Sequence, residues 1–229
     1  MRRLLALLGL GLGLASAQAS SEKLVGPPLP AGYTLQNAYT DGNIQVITAE
    51  HADQFGGALA LARDTRTGRT RWKTYTTGVL VPEPVGRGQG VVNIMALRSG
   101  AITTAETFFF RLGDGKLLRR GLFKVPDVRE GKALLVTYGQ LPIGDAFLAD
   151  PSRLTGEVLD IRTGRTLTRN FPIPKRQGCG ELRPIPVISN MQQYSVNGPL
   201  LLVPRQDHCG KFQAVFEWAK VPLPKPTFR

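Results

Sequence analysis

Four segments of this chain share one shape: an apolar run, a polar turn ending in glycine, a cation, then a second strand-like run. They are Ala58–Tyr75, Thr107–Phe123, Glu157–Phe171 and Leu200–Phe216, with turn glycines Gly68, Gly115, Gly164 and Gly210. Those glycines stand 47, 49 and 46 residues apart. A fixed period constrains a fold more than any local propensity, because each unit must bury its apolar face on a neighbour. Two further features keep the same period. A β-rich run precedes each hairpin, at Asn43–Ala49, Val91–Leu97, Lys132–Tyr138 and Ile185–Met191. Prolines precede each of those runs, at Pro28/Pro30, Pro82/Pro84, Pro126 and Pro172/Pro174, with a fifth copy at Pro222/Pro224.

Local chemistry supports strands throughout. Glycine at the turn supplies the positive φ that a short reversal needs. Thr70–Tyr75 alternates as a half-buried strand does, and Phe108–Phe110 is apolar enough to be central. The prolines cannot donate to a ladder, so they belong at strand ends or on short inner strands. Ala52–Arg63 has a helical composition, but Gly56-Gly57 interrupts it and the repeat register makes Ala58–Ala62 a strand. The expected fold is all-β: repeated antiparallel β-meanders forming a small four-bladed β-propeller over about residues 24–226. A β-sandwich and an open β-solenoid are the alternatives. Gly139–Gly156 is the longest irregular stretch, a loop inserted in the third repeat. The tail from Val221 to Arg229 is either a fifth copy of the first strand, closing a ring, or a loose polyproline end.

The hairpin at Val158–Phe171 (VLDIRTGRTLTRNF) resembles the core of a PQQ-type, quinoprotein-like propeller blade. In such blades two strands are joined by an Asp-x-x-Thr-Gly turn followed by Lys or Arg. Ala62–Trp72 is similar, including the Trp after the turn, whereas the second and fourth copies keep only the Gly and the cation. The resemblance implies fold and not activity. The cofactor site of quinoprotein dehydrogenases has no match in this sequence, so no cofactor is carried over. In a blade, the first and third turns share one face, which would bring Cys179 and Cys209 together.

The N-terminus carries Arg2 and Arg3, an apolar run of 11 residues from Leu4 to Leu14, and two A-x-A sites ending at Ala17 and Ala19. That is the secretory pattern, and the run falls short of the roughly 20 residues of a spanning helix. Residues 1–19 are therefore expected to be a signal peptide and 20–229 a single β-repeat domain, periplasmic or extracellular, with no transmembrane segment after cleavage. In an oxidising compartment the two cysteines, Cys179 and Cys209, are expected to form a disulfide.

The formal net charge of +12 attracts polyanions, while also serving solubility and protecting strand edges. Each turn glycine is followed by a cation: Arg69, Lys116, Arg165 and Lys211. Arg66 and Arg162 precede two of them, and Arg71 continues outward. On a propeller face these seven residues would form a ring of positive charge, a candidate polyanion site. Asp64, Asp160 and Asp207 occupy equivalent turn positions, where a carboxylate fixes the turn by accepting backbone N–H groups. Gly86-Arg-Gly-Gln-Gly90 precedes a strand rather than a helix, so it reads as a turn and not a phosphate loop. His51 and His208 are the only histidines, too few for a zinc set, and no nucleophile elbow is present. No metal site and no catalytic residue is assigned. The expected function is an exported binding or scaffold module that holds an envelope protein or an anionic polymer. Nucleic acid would be attracted by charge but has no motif. A small envelope-glycan hydrolase or lyase using Asp145 and Asp150, or an accessory subunit of a secreted enzyme, is the rival.

Overall fold

The computed structural model describes residues 22–53, 57–83, 85–98, 104–137, 148–183, 185–186 and 194–229. The expected signal peptide, Pro84, Asp145 and residues 187–191 of the fourth β-rich run lie outside them.

The period of the sequence becomes four four-stranded antiparallel meanders. The first holds β1 (Tyr33–Asp41), β2 (Ile44–His51), β3 (Ala58–Asp64) and β4 (Thr70–Thr76). The second holds β5 (Val79–Glu83), β6 (Val91–Arg98), β7 (Thr104–Arg111) and β8 (Leu117–Gly121). The third runs β9 (Phe123–Arg129), β10 (Lys132–Thr137), β12 (Arg153–Asp160) and β13 (Thr166–Pro172). Between its middle strands β11 (Leu148–Ala149) leaves to pair with β14 (Ile185–Pro186). The fourth holds β15 (Ser195–Asn197), β16 (Leu200–Asp207), β17 (Gly210–Glu217) and β18 (Thr227–Phe228).

Strands buried on both sides make the core. Ala58–Arg63 of β3 is buried throughout, because alternate side chains enter different interfaces. Val46, Ala60 and Ala62 pack on Val92, Ile94 and Phe110 between the first two sheets. Phe109, Val125, Leu135 and Leu159 fill the next interface, and Val158, Phe171, Leu201, Phe216 and Trp218 the third. The opposite face of the first sheet, Ile47, Leu59 and Leu61, is covered by Leu24 and Leu29 from the preceding segment. The fold is thus all-β, with repeated antiparallel meanders stacked face to face in chain order as in a propeller. Among the described residues, no hydrophobic cluster joins the fourth sheet to the first.

Buried guanidiniums pin the crossing segments. Arg63, 2% exposed, donates to the carbonyls of Val25 at 2.7 Å and Pro28 at 3.4 Å. Arg205, 3% exposed, donates to Pro151 and Arg153, each at 3.0 Å. Burial lowers the Arg205 pKa to about 10, still far above neutrality.

Three expectations are corrected. The first three repeated hairpins form strands three and four of their sheets, but Leu200–Phe216 forms strands two and three of the last. The cause is the 22-residue excursion between Pro172 and Ser195, which carries Cys179 and displaces the repeat register by one strand. The expected irregular stretch at Gly139–Gly156 ends earlier, because Arg153–Gly156 already pair within the third sheet or lie in β12. The C-terminal tail is neither a first strand nor loose: Thr227–Phe228 adds the outer strand of the fourth sheet.

Candidate functional site

Three of the four glycine turns adjoin. Trp72, just past the first turn, donates its indole N–H to the Leu112 carbonyl at 2.8 Å. Arg111 of the second turn donates to the Arg162 carbonyl of the third at 2.7 Å, and the Lys116 ammonium lies 3.5 Å from the Thr163 carbonyl. Gly115 is required at this junction: its φ is +69°, and a Cβ there would lie 2.4 Å from Trp72 Cγ.

The turn carboxylates build the turns. Asp64 Oδ1 accepts the Arg66 and Thr67 N–H groups at 3.0 and 3.1 Å, while Oδ2 takes Arg71. The Arg71 hydrogen bond, followed by the Arg66 amide, holds Asp64 down to about 2. Arg111 does the same for Asp114, also about 2. Asp160 accepts from the Thr163 N–H at 2.6 Å and hydroxyl at 2.7 Å. Asp207 accepts the Cys209 N–H at 2.8 Å and two Arg176 donors at 2.8 and 2.7 Å. Deprotonated and saturated, these groups are poor proton donors.

The candidate cations therefore separate. Arg71 is committed to Asp64. Arg66, Arg69, Arg162 and Arg165 are exposed and have no carboxylate partner within hydrogen-bonding reach among the described residues. Lys211 lies elsewhere. β16 runs beside the start of β12, as the Arg205 bonds to Pro151 and Arg153 show, so the turn at Asp207–Gly210 sits opposite the Asp160–Arg165 turn. The ring of four cationic turns becomes a row of three, with Lys116 at its centre and Lys211 about 23 Å away along an eight-residue strand.

Cys179 and Cys209 are joined, with Cα atoms 5.2 Å apart. Their sulfurs and an Asp207 oxygen lie within 4.8 Å of one another. Both sulfurs are spent on the disulfide and Asp207 on Arg176, so this cluster offers a cation no free donor pair. The glycine-rich turn at Gly86–Gly90 already holds an anion of its own. Asp41 accepts the Gly88 N–H at 2.8 and 3.0 Å, tying the first sheet to the second. Asp150 accepts from Ser152 and pairs with Arg153 at 3.0 Å, and these bonds lower its pKa.

Two features escaped the sequence reading. Glu83 and Asn93 are directly opposed on β5 and β6, and Asn93 donates its amide to Glu83. Asn93 is 0% exposed and, among the described residues, its Oδ1 has no hydrogen-bond partner. Burial pushes the Glu83 carboxyl up, against the pull of Lys124. The signal was Asn93 inside the apolar run Val91–Leu97. The second feature is a groove of about 490 Å³ between β4 and the second sheet. It joins residues about 40 positions apart, so no local pattern announces it.

No family model matches this sequence, and no curated protein matches it. Among solved structures, the chain is similar to the β-propeller domain of the Trilobed protease from Pyrococcus furiosus, described as having an open velcro topology, at 11% identity and TM-score 0.44. That match covers 86% of this chain and 58% of the other. It is also similar to the acylaminoacyl peptidase of Pyrococcus horikoshii, at 11% identity and TM-score 0.41, over 84% of this chain and 32% of that one.

Proposed function

We propose that the protein is an exported binding module that holds an anionic polymer on the row of three turns. One observation supports this above the others: among the described residues, Arg66, Arg69, Arg162 and Arg165 stand exposed with no carboxylate in hydrogen-bonding reach, while the nearby acids are absorbed by backbone amides and by Arg71 and Arg111. The cations on this end therefore outnumber the acids that hold them, the condition for counterion release on binding a polyanion. The quinoprotein-like blade signature is read as a turn-building device, since its Asp and Thr are engaged with the turn itself. Export follows from the N-terminal pattern and agrees with the disulfide.

Arginine protection tests the proposal. The mature protein is treated with phenylglyoxal with and without an acidic polysaccharide, and modified peptides are quantified by mass spectrometry. Protection of Arg66, Arg69, Arg162 and Arg165, with Arg87 and Arg229 left reactive, supports the assignment. Uniform protection, or none, counts against it.

A further inference from the structure

The second and third sheets each seat on the sheet before them through a cross-strand pair at the same register. Val92 opposes Phe110 in the second sheet and Ala133 opposes Leu159 in the third, all buried and apolar. Val92 and Phe110 pack on the first sheet, and Ala133 and Leu159 fill the interface with the second. The equivalent pair in the first sheet is Gln45 opposite Arg63. Matching backbone bonds fix the equivalence: Thr65 donates to Asn43, Leu112 to Gly90 and Ile161 to Gly131, and Gln45, Val92 and Ala133 each stand two residues beyond the acceptor. No sheet precedes the first, and this face of it takes residues 22–30, a segment that belongs to no strand.

Gln45 and Arg63 bind the main chain of this segment. The Val25 N–H donates to Gln45 Oε1 at 2.9 Å, and Gln45 Nε2 donates to the Lys23 carbonyl at 3.0 Å. Arg63 takes the Val25 and Pro28 carbonyls. Leu24 and Leu29 supply the apolar contacts. Lys23, Gly26, Pro27, Pro28 and Pro30 remain exposed. A face that stays covered carries apolar residues here, as Val92, Phe110, Ala133 and Leu159 do. An amide and a guanidinium at the same positions regain water when uncovered, so this face tolerates opening where the others do not. The joint is also not fully satisfied when closed: Arg63 Nε is buried with no hydrogen-bond partner among the described residues.

We infer that residues 22–30 are a releasable strap, and that the face beneath is a binding site for the same segment of a second copy. The ligand it takes is an extended peptide with leucines at the positions of Leu24 and Leu29 and with the main chain between them turned to Gln45 and Arg63. The fit selects the occupant. Both copies carry the segment that satisfies Gln45 and Arg63, so reciprocal exchange keeps every bond and apolar contact of the closed monomer. Only the hinge changes. It is a tight turn in which the Tyr33 N–H donates to the Pro30 carbonyl at 3.2 Å and Gly32 holds a φ of +82°. A short, constrained hinge favours exchange of the element it carries between two copies. The inference does not depend on the polymer-binding row.

Three readouts on the full mature protein test this. In the wild type, hydrogen exchange at the Val25 amide should run about a hundredfold faster than at Ala58–Ala62, through local release of the strap. A fluorescent peptide of residues 22–31 should bind the Leu24→Ala/Leu29→Ala variant, whose own strap is weakened, about tenfold more tightly than it binds the wild type. Arg63→Leu added to that variant should abolish the gain. Deleting Ala31, or straining the same turn with Gly32→Val, hinders the strap from folding back on its own sheet. Either chain should therefore run as a dimer in light scattering, and excess peptide should return it to monomers. Equal protection of Val25 and Ala58–Ala62, or peptide binding no tighter than to the wild type, overturns the site. Turn variants that keep the native circular dichroism and stay monomeric at about 1 mM overturn the second copy as its occupant.

Discussion

Alanine at the three turn-region glycines of the second and third sheets separates backbone strain from inter-sheet packing. A Cβ added at Gly113 would meet no atom of the described residues beyond its chain neighbours within 4 Å, and its φ is not left-handed, so Gly113→Ala should change stability by less than about 0.5 kcal/mol. Gly164 has a φ of +76° and its nearest side-chain carbon at an ordinary 3.5 Å, so Gly164→Ala carries only the left-handed penalty, about 1–2 kcal/mol. Gly115 has both problems. Its φ is +69°, and a new Cβ would meet Trp72 Cγ at 2.4 Å and Cβ at 2.6 Å. Those atoms lie at the root of the side chain and cannot swing aside. Retreat of Trp72 sacrifices its 2.8 Å bond to Leu112 and its stacking on Phe110 at 5.5 Å. Adding about 1 kcal/mol for the bond and 1–3 kcal/mol for overpacking to the backbone penalty gives a loss of about 3–6 kcal/mol. Equilibrium urea unfolding followed by tryptophan fluorescence measures all three variants. If Gly115→Ala costs no more than Gly164→Ala, the turn does not press on Trp72 as described, and the first two sheets are not joined there.

Two other outcomes follow from named contacts. Cys179→Ser/Cys209→Ser opens a loop of 30 residues and should lower unfolding free energy by about 3.5 kcal/mol by denaturation of the oxidised and variant proteins; a loss below about 1 kcal/mol would mean the loop is already constrained when unfolded. Glu83 holds its proton more tightly when folded, so its contribution is favourable at acid pH and is lost as pH rises from its ordinary value of 4.5 through the raised folded one. Glu83→Gln should therefore gain in Tm on the wild type as pH rises from about 4 to about 7, and a constant difference between the two proteins would refute the burial effect.

The repeat period revealed most of the fold because it records a physical necessity: meanders that bury both faces must recur with similar strands and similar turns. The turn aspartates were legible for a local reason, since Asp64 and Asp160 reach amides only two or three residues ahead. Reading the fourth repeat by the same rule misplaced it by one strand. Leu200–Phe216 carries the hairpin pattern whichever two strands it forms, and only the excursion past Cys179 decides between them. That slip moved Lys211 to the wrong end. The pairing of Arg71 with Asp64 was equally invisible, because spacing alone does not say whether a cation folds back on its own turn or faces solvent. The β4 groove depends on sheet stacking and has no sequence signature at all.

The polymer-binding row is tested most directly by the salt dependence of binding to DNA and to an acidic polysaccharide. The wild-type protein is compared with Arg66→Ala/Arg69→Ala/Arg162→Ala/Arg165→Ala and with Lys211→Ala. Affinity of the wild type should fall steeply with salt, and the fourfold variant should flatten the slope against DNA by about 3.6, while Lys211→Ala leaves it unchanged. Equal slopes in all three proteins, or flattening by Lys211→Ala as large as that by the four arginines, would contradict a polyanion site on the three adjoining turns.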